Sequence, residues 1–132
     1  MRGGALLTTH SMQQTLLQGT AGEEAAVDWL RANGFMIVNR NVRYGRYEID
    51  IIASRWDTTH FIEVKTRRLG SLTSPEEAIT ESKRRALHRA ISSYVTSHRL
   101  RGQVQFDLAA VEQLPDGSYA VRYIENAIEY GW

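Results

Sequence analysis

Four side chains in the middle of this chain have the types and spacing for phosphodiester chemistry. Glu48-Ile49-Asp50-Ile51-Ile52 and Phe61-Ile62-Glu63-Val64-Lys65 each alternate charged with apolar residues, and twelve residues separate Asp50 from Glu63. Both runs are β-branched or aromatic and read as adjacent strands of a hairpin, joined by Ser54-Arg55-Trp56-Asp57-Thr58-Thr59. Strand side chains change face at every residue, so Glu48 and Asp50 share one face and Glu63 and Lys65 share another. Residues two apart on one strand are about 6.6 to 6.8 Å apart. If the register brings the two faces to the same side, an aspartate, a glutamate and a lysine meet on one patch. Two carboxylates hold a hard divalent cation through oxygen, and an ammonium beside them orients water or balances charge on phosphorus. That set suits metal-dependent phosphodiester cleavage.

On the plainer reading these are cross-strand ion pairs on a solvated sheet, each worth roughly 0.2 to 1 kcal/mol. The neighbours argue against it. Ile49, Ile51, Ile52, Phe61, Ile62 and Val64 make both strands too apolar for an exposed edge, so they are expected to be central and covered. A covered charge is costly unless it is paired or metal-bound.

Asp50, twelve residues and then Glu63-Val64-Lys65 resembles the PD-(D/E)xK signature of restriction-endonuclease-like nucleases. The wider set is similar to the YraN-like family of small bacterial proteins, related in fold to archaeal Holliday junction resolvases. It comprises Gly19-Thr20-Ala21-Gly22-Glu23, Asn41-Val42-Arg43, the two acidic strands continued by Thr66-Arg67, Lys83-Arg84-Arg85 and Phe106-Asp107. The resemblance spans roughly residues 12 to 112. It implies that Asp50 and Glu63 are ligands of Mg²⁺ or Mn²⁺, with the Val64 carbonyl a third oxygen. Lys65 would be the catalytic lysine, and Glu23 the helical acid that completes the site. Two positions depart from the pattern: Ile49 stands where the superfamily has proline, and Tyr47 where the family has glycine. Resolvase-like relatives pair their active sites, so the resemblance also implies a homodimer, by analogy alone.

The elements that must position these groups are legible around them. A first helix is expected from about Met12 to Asn33, or from near Thr20 with a separate turn before it. Leu16, Ala26, Val27 and Leu30 form its apolar side, and Asn33-Gly34 stops it. Gly19 and Gly22 each cost on the order of 1 kcal/mol relative to alanine inside a helix, which points either to a close approach or to the later start. Residues 35 to 43, Tyr47 to Ala53 and Phe61 to Arg67 read as strands. Ser74-Pro75-Glu76-Glu77 resembles a capping box, and Thr80 offers a second helix start. Leu87, Ile91, Tyr94 and Val95 then recur at helical spacing. Val104 to Val111, a Pro115-Asp116-Gly117-Ser118 turn and Tyr119 to Ile124 complete the pattern. The expected fold class is α/β: a restriction-endonuclease-like core with a mixed sheet of about four to five strands flanked by helices. Residues 1 to 11 read as a mobile tail, and 12 to 132 as a single domain. Asp107 reads as a structural ion-pair partner and His60 as a flanking strand residue.

Composition narrows the function classes. The chain has 132 residues, 42% of them hydrophobic, with no cysteine and a net charge of +1. Disulfides and thiolate metal sites are excluded. No apolar run reaches the roughly 20 residues that span a bilayer, and no signal peptide is recognisable, so no membrane partner is expected and cytoplasm is the default location. Charge is unevenly spread. Residues 1 to 102 carry 15 Lys and Arg against 10 Asp and Glu, and residues 103 to 132 carry 1 against 5. Arg43, Arg46, Arg67, Lys83 and Arg84 form a basic rim about the acidic strands, a distribution that would hold nucleic-acid phosphates while the centre holds cations. The expected function is a Mg²⁺- or Mn²⁺-dependent nuclease acting on structured or branched DNA. A non-enzymatic nucleic-acid- or protein-binding module that keeps the nuclease fold is the competing reading, and RNA processing a third.

Overall fold

The computed structural model describes residues 20–69 and 80–127. The expected turn at Met12 to Gln18, the capping box at Ser74 and the tail at residues 1 to 11 lie outside them. A helix α1 covers residues 20–32. Five strands follow, β1 (Met36–Tyr44), β2 (Tyr47–Arg55), β3 (Thr58–Arg68), β4 (Gln103–Gln113) and β5 (Tyr119–Ile124), with α2 (Glu81–His98) between β3 and β4. They form one mixed sheet in the order β1-β2-β3-β4-β5. Neighbours are antiparallel except β3 and β4, which run parallel across the α2 connection. This is an α/β fold with a five-stranded open sheet between two helices.

Each helix is made by its apolar spacing. Ala26, Val27 and Leu30 of α1 are fully buried against Ile51, Ala53, Ile62, Ala109 and Val111. Leu87, Ala90, Ile91 and Tyr94 of α2 are buried against Ile49, Ile52, Phe61 and Phe106 on the other face. Neighbouring residues such as Phe61 and Ile62 enter opposite cores, as strand alternation requires. β2 and β3 are therefore apolar on both sides, which is why their sequences read as near-continuous hydrophobic runs. α1 ends as expected at Asn33-Gly34: Asn33 Nδ2 donates to the Trp29 carbonyl at 2.8 Å, and Gly34 takes φ +85°. α2 starts at Thr80, whose hydroxyl accepts from the Lys83 amide at 3.2 Å.

Two local expectations change. The six residues from Ser54 to Thr59 form mostly strand. Ser54 pairs with Thr59 and Arg55 with Thr58, so only Trp56 and Asp57 remain as the turn. The β-branched threonines favour the extended backbone, and the Arg55 guanidinium stacks on Phe35 at 4.0 Å and on Trp56 at 4.7 Å. Strict alternation also fails in β2. Ile49 joins the α2 core while Ile51 joins the α1 core, although two residues apart should share a face. The β1 register is continuous there, Arg40 pairing with Ile51 and Val42 with Ile49, although the intervening Asn41 has φ +53°; the register shift of this strand pair lies between Ile37 and Asn39.

Candidate functional site

Asp50 sits where the β2–β3 ladder stops. The register runs from Arg55↔Thr58 to Ile51↔Ile62 and ends one step short of Asp50 and Glu63. Instead of a backbone carbonyl, the Asp50 side chain receives the next amide: Val64 N–H donates to Asp50 Oδ2 at 2.8 Å. That bond fixes the carboxylate in the opening between the two strands, next to a buried carboxylate of β3. Glu63 is only 7% exposed.

The two carboxylates are in different electrostatic states. Glu63 is well served: Tyr47 Oη donates to Oε1 at 2.8 Å, and Oε2 lies 3.2 Å from Lys65 Nζ and 3.4 Å from Lys83 Nζ. Two ammonium groups and a phenol satisfy a buried charge. Asp50 has the Val64 amide, which lowers its pKa, but burial acts more strongly in the other direction, and the charges of Glu23, Glu63 and Glu48 add to it. Its carboxyl is pushed up to about 6. A cation placed there would relieve both the desolvation and the repulsion.

Glu23 comes from the other side of the sheet. Its Oε1 accepts from Asn41 Nδ2 at 3.4 Å, with Arg40 3.8 Å away. Arg40 lies closer to Glu24, at 2.7 Å. The neighbouring Gly22 explains how α1 approaches. A Cβ at Gly22 would overlap Thr66 Oγ1 and lie 3.2 Å from Thr66 Cβ, so only glycine lets the amino end of α1 close on β3. The expected close approach is present, and its partner is a backbone-proximal side chain of the neighbouring strand.

The basic residues divide. Lys83 points inward to Glu63, and Lys65 does the same. Arg84 forms a bidentate pair with Glu81 at 2.8 and 3.1 Å, within α2. Arg43 lies 3.6 Å from Glu48, and Arg67 donates to the Thr66 carbonyl at 3.0 Å. Arg46 is exposed in the β1–β2 turn. The exposed pairs are worth little and can exchange for phosphate.

A second polar cluster escaped the sequence reading. Among the described residues, the His, Asp and Glu set whose ligand atoms all lie within 4.8 Å of one another is His60, Asp107 and Glu125. Glu23, Asp50 and Glu63 are spread more widely. The spacing of the second set would admit one metal ion, but Asp107 is already fully used. His60 Nδ1 lies 2.6 Å from Oδ2, which Tyr123 Oη also engages. Asn126 N–H and Gln105 Nε2 donate to Oδ1 at 3.0 and 2.8 Å. Burial first, then the Asp107 charge, holds the Tyr123 phenol well above its ordinary pKa, so it stays a donor. Asp107 is 0% exposed and His60 3%. The expected ion-pair role for Asp107 takes the form of a four-donor cage. Its members come from three strands and the segment after β5, and the parallel β3–β4 register that joins them leaves no local trace in the sequence.

Comparison with known proteins agrees with the motif set. The model of Uncharacterised protein family UPF0102 matches residues 22–111. A UPF0102 protein of Symbiobacterium thermophilum is 44% identical over 112 residues, covering 83% of this chain and 93% of that protein. One from Alkaliphilus oremlandii is 38% identical over 112 residues, covering 83% of this chain and 95% of that protein. A solved structure of Pyrococcus furiosus SfsA in complex with Ca²⁺ overlays with a TM-score of 0.40 at 18% identity, over 88% of this chain and 65% of that one, a likeness too distant to bear on activity. With the family model spanning the helix that carries Glu23, both acidic strands and most of β4, the chain belongs to UPF0102, the YraN family.

Proposed function

We propose that this protein is a Mg²⁺- or Mn²⁺-dependent nuclease that hydrolyses phosphodiester bonds in structured or branched DNA. The observation that carries the reading is the opening of the β2–β3 ladder at Asp50 and Glu63, with Lys65 on Glu63 and the charge of Glu23 acting on Asp50. The donor set is hard carboxylate oxygen, which fits either ion. Asp50 and Glu63 would hold the ion, the Val64 carbonyl would add a third oxygen and Glu23 would complete the shell. The bound ion would polarise the phosphate and supply hydroxide at neutral pH. Lys65, released from Glu63, orients the attacking water and stabilises charge gathering on the phosphate oxygens. Arg43, Arg46, Arg67, Lys83 and Arg84 contribute to holding the phosphates on either side.

A second reading is favoured by one observation: Glu63 already has Tyr47, Lys65 and Lys83 as partners, and a carboxylate so neutralised has no need of metal. Under it the protein binds nucleic acid or a protein without cutting. Mn²⁺ titration calorimetry beside cleavage of junction and flap DNA, on the wild type, Asp50→Asn and Glu63→Gln, separates the two. The nuclease reading expects metal uptake and cleavage in the wild type, with cleavage lowered at least a thousandfold in both variants while both fold. DNA affinity that persists in Asp50→Asn, with no metal uptake by the wild type, would establish the binding module. Matched RNA substrates in the same assay decide the class of nucleic acid.

A further inference from the structure

A groove of about 600 Å³ runs between the β1–β2 turn and α2. Tyr44, Arg46 and Tyr47 line it from the hairpin, and Lys83 and Arg89 from the helix. Three of these five residues are cationic, and among the described residues no carboxylate lines the groove. An anion is therefore the complementary occupant. The two tyrosines add aromatic surface of the kind on which nucleobases stack irrespective of sequence. Tyr44 is braced edge-on by Tyr94, with ring centroids 6.3 Å apart, so its ring is held in place before a ligand arrives.

The groove shares two side chains with the acidic centre. Tyr47 and Lys83, both in its wall, reach Oε1 and Oε2 of Glu63, the second oxygen being shared with Lys65. A ligand in the groove thus lies one side chain away from the position assigned to the reacting phosphate. The volume is within the range of about 300 to 1,000 Å³ of small-molecule sites. It suits one nucleotide and is too confined for a duplex. A base can enter only after leaving its stack, which is easiest where it has no pairing partner.

We propose that this groove seats a single unpaired nucleotide adjacent to the scissile phosphate, so that the preferred substrate is DNA carrying a bulge or a one-nucleotide flap. The tyrosines stack on the base while Arg46 and Arg89 hold its phosphates. The inference rests on the nuclease reading only in placing the reacting phosphate at Glu63; the nucleotide site itself is independent of catalysis.

The test is equilibrium binding of fluorescent 20-base-pair duplexes to the full chain in EDTA, comparing a blunt duplex with one carrying a central single-nucleotide bulge or a terminal flap, beside cleavage of the same duplexes in Mn²⁺. The wild type is expected to bind the bulged or flapped duplex at least tenfold more tightly. Arg46→Glu with Arg89→Glu, both exposed positions, should abolish that preference, so that the two duplexes bind equally. Tyr44→Phe should keep the preference and Tyr44→Leu lose it. Asp50→Asn should retain it while losing cleavage. Equal affinity of the wild type for both duplexes, or a preference that survives the double arginine variant, overturns the proposal. A groove-dependent preference without cleavage by the wild type sinks the nuclease reading and leaves the nucleotide site standing. Cleavage indifferent to the unpaired base does the reverse.

Discussion

Asp50 carries its charge at a cost, and the cost is measurable. Its unfolded value is 3.8 and its folded value about 6, so between these limits the folded state binds more protons than the unfolded one. The stability this contributes is fully present below pH 3.8 and is lost as pH rises through about 6. At 1.36 kcal/mol per unit, the loss is on the order of 3 kcal/mol. Asp50→Asn keeps an oxygen for the Val64 amide and removes the charge. It should therefore be more stable than the wild type by about 1 to 3 kcal/mol at pH 8, and equal to it at pH 3.5. Thermal melts at the two pH values check this, and an Asn variant less stable at pH 8 would mean that the Asp50 charge is not strained. Added Mn²⁺ should raise the melting temperature of the wild type and leave the variant unmoved, because an ion stabilises only the state that binds it.

At the scale of elements, the amino end of α1 and the carboxyl end of β3 fit because position 22 has no side chain. Gly22→Ala forces either the helix or Thr66 to move, with an expected destabilisation of about 1 to 3 kcal/mol in urea unfolding. That sign is opposite to the usual gain for alanine in a helix. Thr66→Ala in the same chain should recover most of the loss, since it removes the overlapping hydroxyl, and a double-mutant cycle would report the coupling. If the two changes are additive, α1 does not seat on β3 through this pair. Gly22 was conspicuous in the sequence as a glycine within a helical pattern. The strand it faces was not, because nothing local to either segment encodes their distance. The same holds for Tyr47: its departure from the family's glycine was visible, but its hydrogen bond to Glu63 depended on how β2 diverges from β3.

Across the whole molecule, Asp107 ties β3, β4, β5 and the segment after β5 into one unit through His60, Gln105, Tyr123 and Asn126. Arg55 extends this network: it lies 3.5 Å from Glu125 and donates to the Asn33 carbonyl at the end of α1. Asp107→Ala leaves several buried donors without an acceptor and should cost about 3 to 5 kcal/mol, with Tyr123→Phe nearer 1 to 2. Chemical unfolding would show it, and a chelator should not reproduce the effect, because the carboxylate is satisfied by protein donors. A chelator-induced loss of similar size would assign the cluster to a metal. Among the described residues no helix is long and apolar enough to cross a membrane.

What could be read from the sequence was whatever is written in local order. Periodicity placed the helices and strands of the described residues, because a helix or strand buries its apolar face at a fixed spacing. The glycine and threonine signals marked the end of α1 and the start of α2, because caps are satisfied within a few residues. The acidic pair stood out because two charges embedded in apolar strands need a reason. Tertiary structure alone decided which side each charge faces, since Ile49 and Ile51, two residues apart in β2, enter opposite cores on either side of Asp50. It also decided that Lys83 reaches inward, that a groove lies beside Glu63, and that His60 meets Asp107. These contacts join residues 20 or more positions apart, and their distances are set by strand register and helix packing, which no single segment contains.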